Sequence, residues 1–156
     1  MPFLFGATFF NGGSHGIFFE DLKAYKAAIS WNDYISQILD NLGTHCSRTI
    51  RDQLERASLS IPLNIAEGNG RWHKAEKRQF FWIARGSTFE CVAILQVIAR
   101  RGLLQDRIVG DLYDQLAEIS KMLSALIKSV DPLKDAEIIP SALHVHSPPQ
   151  KLSSKV

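Results

Sequence analysis

At 156 residues, 46% hydrophobic and 22% charged, the chain is long enough to bury one core without disulfide or metal staples, which points to a single globular domain. No run approaches the ~20 continuous apolar residues of a membrane span. Two cysteines, Cys46 and Cys91, stand apart in apolar-periodic segments, which reads as buried free thiols rather than a C-x-x-C redox or metal motif.

Residues 1–19 are rich in Phe and Gly, lack a basic leader, and are broken by Asn11, Gly12, Gly13 and Ser14, so they are expected to be a flexible extension rather than a secretion signal. That makes the protein cytoplasmic by expectation, with no membrane partner. Four helical segments follow. In residues 20–42, Leu22, Tyr25, Ile29, Ile35, Leu39 and Leu42 fall on a three-and-four spacing in which only the Asn32 turn is polar, with Gly43 as the stop. In residues 46–67 the stripe is Ile50, Leu54, Ala57, Ile61 and Ile65. Pro62 interrupts it, and because the stripe continues in phase the expectation is one helix kinked at Pro62, ended by Gly68, Asn69 and Gly70.

Residues 74–101 place Phe80, Ala84, Ser87, Cys91, Ile94 and Ile98 on one face, widened by Phe81, Val92 and Leu95. Gly102 ends this helix, after Arg100 and Arg101, which suit the negative helix end. In residues 105–130, Ile108, Leu112, Leu116, Ile119, Leu123, Leu126 and Val130 form a heptad-like stripe that Asp131 and Pro132 stop. The tail, residues 132–156, holds Pro132, Pro140, Pro148 and Pro149 and reads as disordered. Short links between long helices predict an all-α, up-down four-helix bundle over residues 20–131.

Motifs that carry chemistry are scarce. The sequence holds no P-loop, no dinucleotide fingerprint and no H-E-x-x-H. His144 and His146 lack a third ligand nearby, and nothing marks a base for Ser58 or Ser60. The expectation is therefore no enzyme, no cofactor and no metal.

Charge is more informative. The net charge is +2, but residues 47–101 carry ten Lys/Arg against five Asp/Glu, a balance of +5, leaving −3 for the rest. Such asymmetry points to an anionic partner, with a chance excess on a solvated face as the competing reading. Ser60, Asn64, Glu67 and Arg71 form one stripe at the end of the second helix; Arg78, Trp82 and Arg85 form another on the third. Structurally, Glu67 can pair with an arginine and Asn64 can satisfy backbone freed by Pro62. Functionally, Arg71, Lys74, Lys77, Arg78 and Arg85, with Trp72 and Trp82 between them, can present cations and aromatic faces to phosphates and unstacked bases. A protein partner or a subunit interface is the alternative use of these residues. Phe80, Phe81 and Trp82 are consecutive and cannot all face one core, which favours self-association.

The string Ser60-Ile61-Pro62-Leu63-Asn64-Ile65-Ala66-Glu67-Gly68-Asn69-Gly70-Arg71, with Ile83-Ala84-Arg85-Gly86-Ser87 and then Glu90, resembles the four-helix-bundle proteins encoded in intervening sequences of bacterial 23S rRNA genes. The likeness extends from Leu22 to Lys121-Met122-Leu123 and Leu126-Ile127. It implies a ring-shaped homopentamer of four-helix bundles with a non-enzymatic, rRNA-associated role. A more distant resemblance is to the accessory variability determinants of diversity-generating retroelements, which use a basic surface to engage a reverse transcriptase and RNA. The runner-up reading is accordingly an interaction scaffold or a reverse-transcriptase accessory subunit. The chain departs from the family pattern at His73, where a Ser or Thr usually caps the third helix, at Lys77, where Phe is usual, and at Gln79, where Arg is frequent.

Overall fold

A computed structural model describes residues 18–131. The predicted N-terminal extension, but for its last two residues, and the predicted Pro-rich tail lie outside them. Four helices account for nearly all of this span: α1 (Lys23–Leu42), α2 (Arg48–Gly70), α3 (Lys74–Arg100) and α4 (Asp106–Ser129), with short 3-10 turns at Phe18–Asp21 and Gly43–His45. No strand occurs among the described residues. Each helix packs on its neighbours in the chain, and α4 closes the bundle against α1. Links of only a few residues force successive helices to run antiparallel.

Two of the predicted glycine stops act through their own backbone angles. Gly43 (φ 51°) and Gly102 (φ 65°) adopt the left-handed backbone that only glycine enters without strain. The Gly43 N–H returns to the carbonyls of Leu39 and Asp40, and the Gly102 N–H to that of Ala99 at 2.9 Å. A residue from the next helix also serves carbonyls at the end of α1. Arg51 donates to the Leu39 carbonyl and, at 3.2 Å, to that of Gly43, while facing Asp40 at 3.4 Å.

The stop predicted at Gly68, Asn69 and Gly70 falls on its last residue, where α2 ends, and Gly68 itself lies inside the helix. A Cβ at Gly68 would lie 2.8 Å from Phe81 Cε1 and 3.0 Å from Phe80 Cβ, so the glycine serves the close approach of α2 and α3. Pro62 stays inside one helix, as the in-phase stripe predicted, and is buried.

The core rows of α2, α3 and α4 follow the predicted stripes, with Leu54, Ile61, Ile65, Cys91, Leu95, Ile98, Leu112, Leu116, Ile119 and Leu123 buried. In α1 the row is rotated from the predicted one. Ala24, Ala28, Trp31, Ile35, Ile38 and Leu39 face the core, and Leu22, Tyr25 and Leu42 flank it. The bulk of Trp31, wholly buried, is matched by the small Ala24 and Ala28 on the same row. Both cysteines are buried and free, and burial, with the Glu90 charge adding to it, pushes the Cys91 thiol up to about 12.

Candidate nucleic-acid interface

The motif residues on α2 and α3 form a polar seam between the two helices. Asn64 Nδ2 donates to the Ser60 carbonyl at 2.7 Å and to Ser60 Oγ at 3.0 Å. Ser60 Oγ is hydrogen-bonded across to Ser87 Oγ at 2.9 Å, and the Ser87 hydroxyl reaches the Ile83 carbonyl at 3.1 Å. The carbonyl that Pro62 leaves without its helical donor belongs to Ser58, so Asn64 serves a different carbonyl from the one the sequence suggested. Its role is to fix the Ser60 hydroxyl, and through it Ser87. Two residues earlier, Asn32 of α1 donates to Ser58 Oγ, which sequence reasoning did not foresee. Neither serine is set up as a nucleophile, since each hydroxyl is held by amides, hydroxyls and main-chain carbonyls rather than by a base.

Beyond this seam the chain turns at residues 71–73. Arg71 pairs with Glu67 one turn back, as the four-residue spacing allows, and its guanidinium lies 4.8 Å from the Phe80 ring centre. Trp72 is 90% exposed, which leaves its indole faces open. His73 caps α3 with its backbone only; its side chain accepts nothing from the first turn, as its identity predicted. The first five residues of α3 then carry Lys74, Lys77 and Arg78 against Glu76, although the positive end of a helix dipole favours acids. Lys77 reaches back to the Asn69 carbonyl at 3.4 Å, and Arg78 faces Asp131 at 3.8 Å. Arg71, Trp72, Lys74, Lys77 and Arg78 thus gather at one end of the bundle.

Arg85 does not join them. It lies eleven residues beyond Lys74, roughly 16 Å along the helix. Its guanidinium sits between two rings, 5.4 Å from Trp82 and 4.7 Å from Phe89. Glu90 is exposed. No group of three or more His, Cys, Asp or Glu side chains that could hold a metal occurs among the described residues. A groove of about 470 Å³ beside the turn is lined by Phe19, Leu63, Ala66, Glu67, Gly70 and Arg71, and so joins the paired Glu67 and Arg71 to an apolar wall.

Four helices packed each on its neighbour, with no strand among the described residues, place the chain in the class of small helical-bundle proteins. The chain matches the model of the family described as 23S rRNA-intervening sequence protein over residues 20–125. It belongs to that family. Among solved structures it is similar to a protein of unknown function from the S23 ribosomal protein family of Bacteroides thetaiotaomicron. That likeness has 18% identity and a TM-score of 0.63, and covers 67% of this chain and 95% of that one. It speaks for the fold alone. No curated protein matches the chain.

Proposed function

We propose that this is a non-enzymatic, cytoplasmic, self-associating bundle, a ring of five by family resemblance, that offers the α2–α3 turn to RNA. The observation that supports this most directly is the exposed Trp72, bracketed by Arg71, Lys74, Lys77 and Arg78, at a helix start that has no side-chain cap. Phosphates would lie against the cations and the open end of α3, and an unstacked base against the indole. A kink at Pro62 would aim this turn away from the bundle axis. The family description, which names an intervening sequence of 23S rRNA, makes RNA the first anion to test. Individual exposed charges contribute little, so the cluster has to be removed as a group.

The experiment is RNA affinity across a salt series for the wild-type chain and for Arg71→Ala/Lys74→Ala/Arg78→Ala. With three phosphate contacts gone, the slope of log K against log salt should flatten by about 2 for a single-stranded ligand. Equal affinity and equal slope for the two proteins, or no binding by the wild type at low salt, refutes the reading. The runner-up, a protein scaffold or accessory subunit, draws on the partners that Arg71, Lys77 and Arg78 already have within the bundle. It predicts partner capture that salt does not weaken.

A further inference from the structure

The exposed large apolar residues are unevenly placed. Leu59, Leu63, Trp72, Trp82, Ile83, Phe89 and Val97 all lie on α2, on α3 or in the turn between them, and none lies on α1 or α4. On α3 they follow a row directly opposite the core: Ala75, Gln79, Trp82, Gly86, Phe89, Ala93 and Val97 recur at intervals of three and four, and every one is exposed. A solvent-facing row should be polar; this one has a single polar residue. By length and composition α3 is even apolar enough to cross a membrane, although its inner face packs on α2 and α4.

Gly86 is the most telling member of the row. It sits in the middle of a 27-residue helix, where glycine is the costliest residue short of proline. Gly68 has a reason to lack a Cβ; at Gly86 a Cβ would meet nothing within 4 Å. Nothing within the bundle therefore requires glycine there. A notch between Trp82 and Phe89 is what results. On α2 the same chain carries a matching ridge, Leu59 and Leu63, one turn apart and 48% and 58% exposed. The two halves lie on different helices, so one copy can give its ridge to a second copy and receive the ridge of a third. That is a head-to-tail contact, the kind that closes into rings. Leu59, Leu63, Trp82, Ile83, Phe89 and Val97 together expose on the order of 500 Å² of apolar surface, given the size of such side chains. A standard interface takes ~800 Å² from each partner; each head-to-tail contact draws the ridge from one copy and the notch from the other, so the two would form its apolar centre, with more polar surface around them.

We infer that the occupant of the Gly86 notch is the Leu59–Leu63 ridge of a second copy of this chain, with Trp82 and Phe89 as its walls and Arg85 holding both rings from the side. This rests on the self-association proposed above and adds the contact that performs it.

The test uses the full chain and two variants, Leu63→Arg, which spoils the ridge, and Gly86→Gln, which fills the notch with a good helix former. Molar mass is read by light scattering, and helix content by circular dichroism. The wild type is expected to assemble, while each variant alone is helical and monomeric. Mixed at the highest soluble concentration, the two should form a one-to-one heterodimer, because the Gly86→Gln copy has an intact ridge and the Leu63→Arg copy an intact notch. A monomeric wild type would overturn self-association itself. An assembling wild type whose variants also assemble, or whose variants stay monomeric when mixed, would leave self-association standing and overturn this contact. Wild-type binding to phospholipid vesicles that both variants lose would assign the face to lipid and overturn the contact as well.

Discussion

Replacing Gly68 by alanine tests the closest approach between α2 and α3. The added Cβ would lie 2.8 Å from Phe81 Cε1 and 3.0 Å from Phe80 Cβ and Phe81 Cδ1, against the ~3.5–4.0 Å at which carbon atoms rest. Neither neighbour yields easily. Phe81 is 3% exposed, and Phe80 Cβ is bonded to the backbone, so relief means moving α3. Overpacking of this kind costs ~1–3 kcal/mol. Alanine recovers up to ~1 kcal/mol over glycine in a helix, less here because Gly68 is close to the end of α2. The net expectation is a loss of about 1–2 kcal/mol. Gly110→Ala supplies the control, since Gly110 is exposed in α4 with nothing within 4 Å of the new Cβ. It should gain up to ~1 kcal/mol. Urea unfolding followed by far-ultraviolet circular dichroism, at equal protein concentration, reads both. If Gly68→Ala stabilises the protein as Gly110→Ala does, the close helix contact is absent and the argument fails.

Arg51→Ala should cost about 1–3 kcal/mol, because a largely covered guanidinium serves two carbonyls at the end of α1 as well as Asp40. Arg48→Ala, which loses only an exposed pair with Asp52 at 3.6 Å, should fall within ~0.5 kcal/mol of wild type by the same unfolding assay. Cys91 makes a pH prediction. Its thiol is raised from 9.0 to about 12 in the fold, so above pH 9 the unfolded chain releases a proton that the folded chain keeps. Its contribution to stability is whole below pH 9 and is lost as the pH climbs toward 12, so wild type should lose stability over that window more steeply than Cys91→Ala in unfolding curves at stepped pH. The RNA salt series and the assembly of the Leu63 and Gly86 variants complete the set.

What could be read from sequence depended on how local the signal was. The stripes of α2 and α4 were visible because their core residues are large and regularly spaced. The α1 row was misread because Leu22, Tyr25 and Ile29 outweigh Ala24 and Ala28 in any hydrophobic count, whereas the bundle needed small residues on the row that carries Trp31. The Glu67–Arg71 pair follows from a four-residue spacing. The Arg78–Asp131 pair joins positions 53 apart, and nothing short of the fold brings them together. The glycines divide in the same way. Gly43 and Gly102 act through their own backbone angles and were legible, while Gly68, read only as part of the stop that ends α2 at Gly70, acts through a neighbouring helix.

The polar ties on α2 set the alignment of the whole molecule. Ser58 is bound to α1 through Asn32, and Ser60, two residues later, is bound to α3 through Ser87. Apolar rows tolerate sliding, since one aliphatic side chain can replace another a turn away. These ties do not, because a slip of one turn in either direction would strand the buried Ser58 and Ser87 hydroxyls without these partners. The central helix is thus indexed against both neighbours within one turn of its length. Core side chains elsewhere are free to change size without shifting the vertical match of the helices, and a relative that kept these four polar residues could keep the same alignment with little else in common.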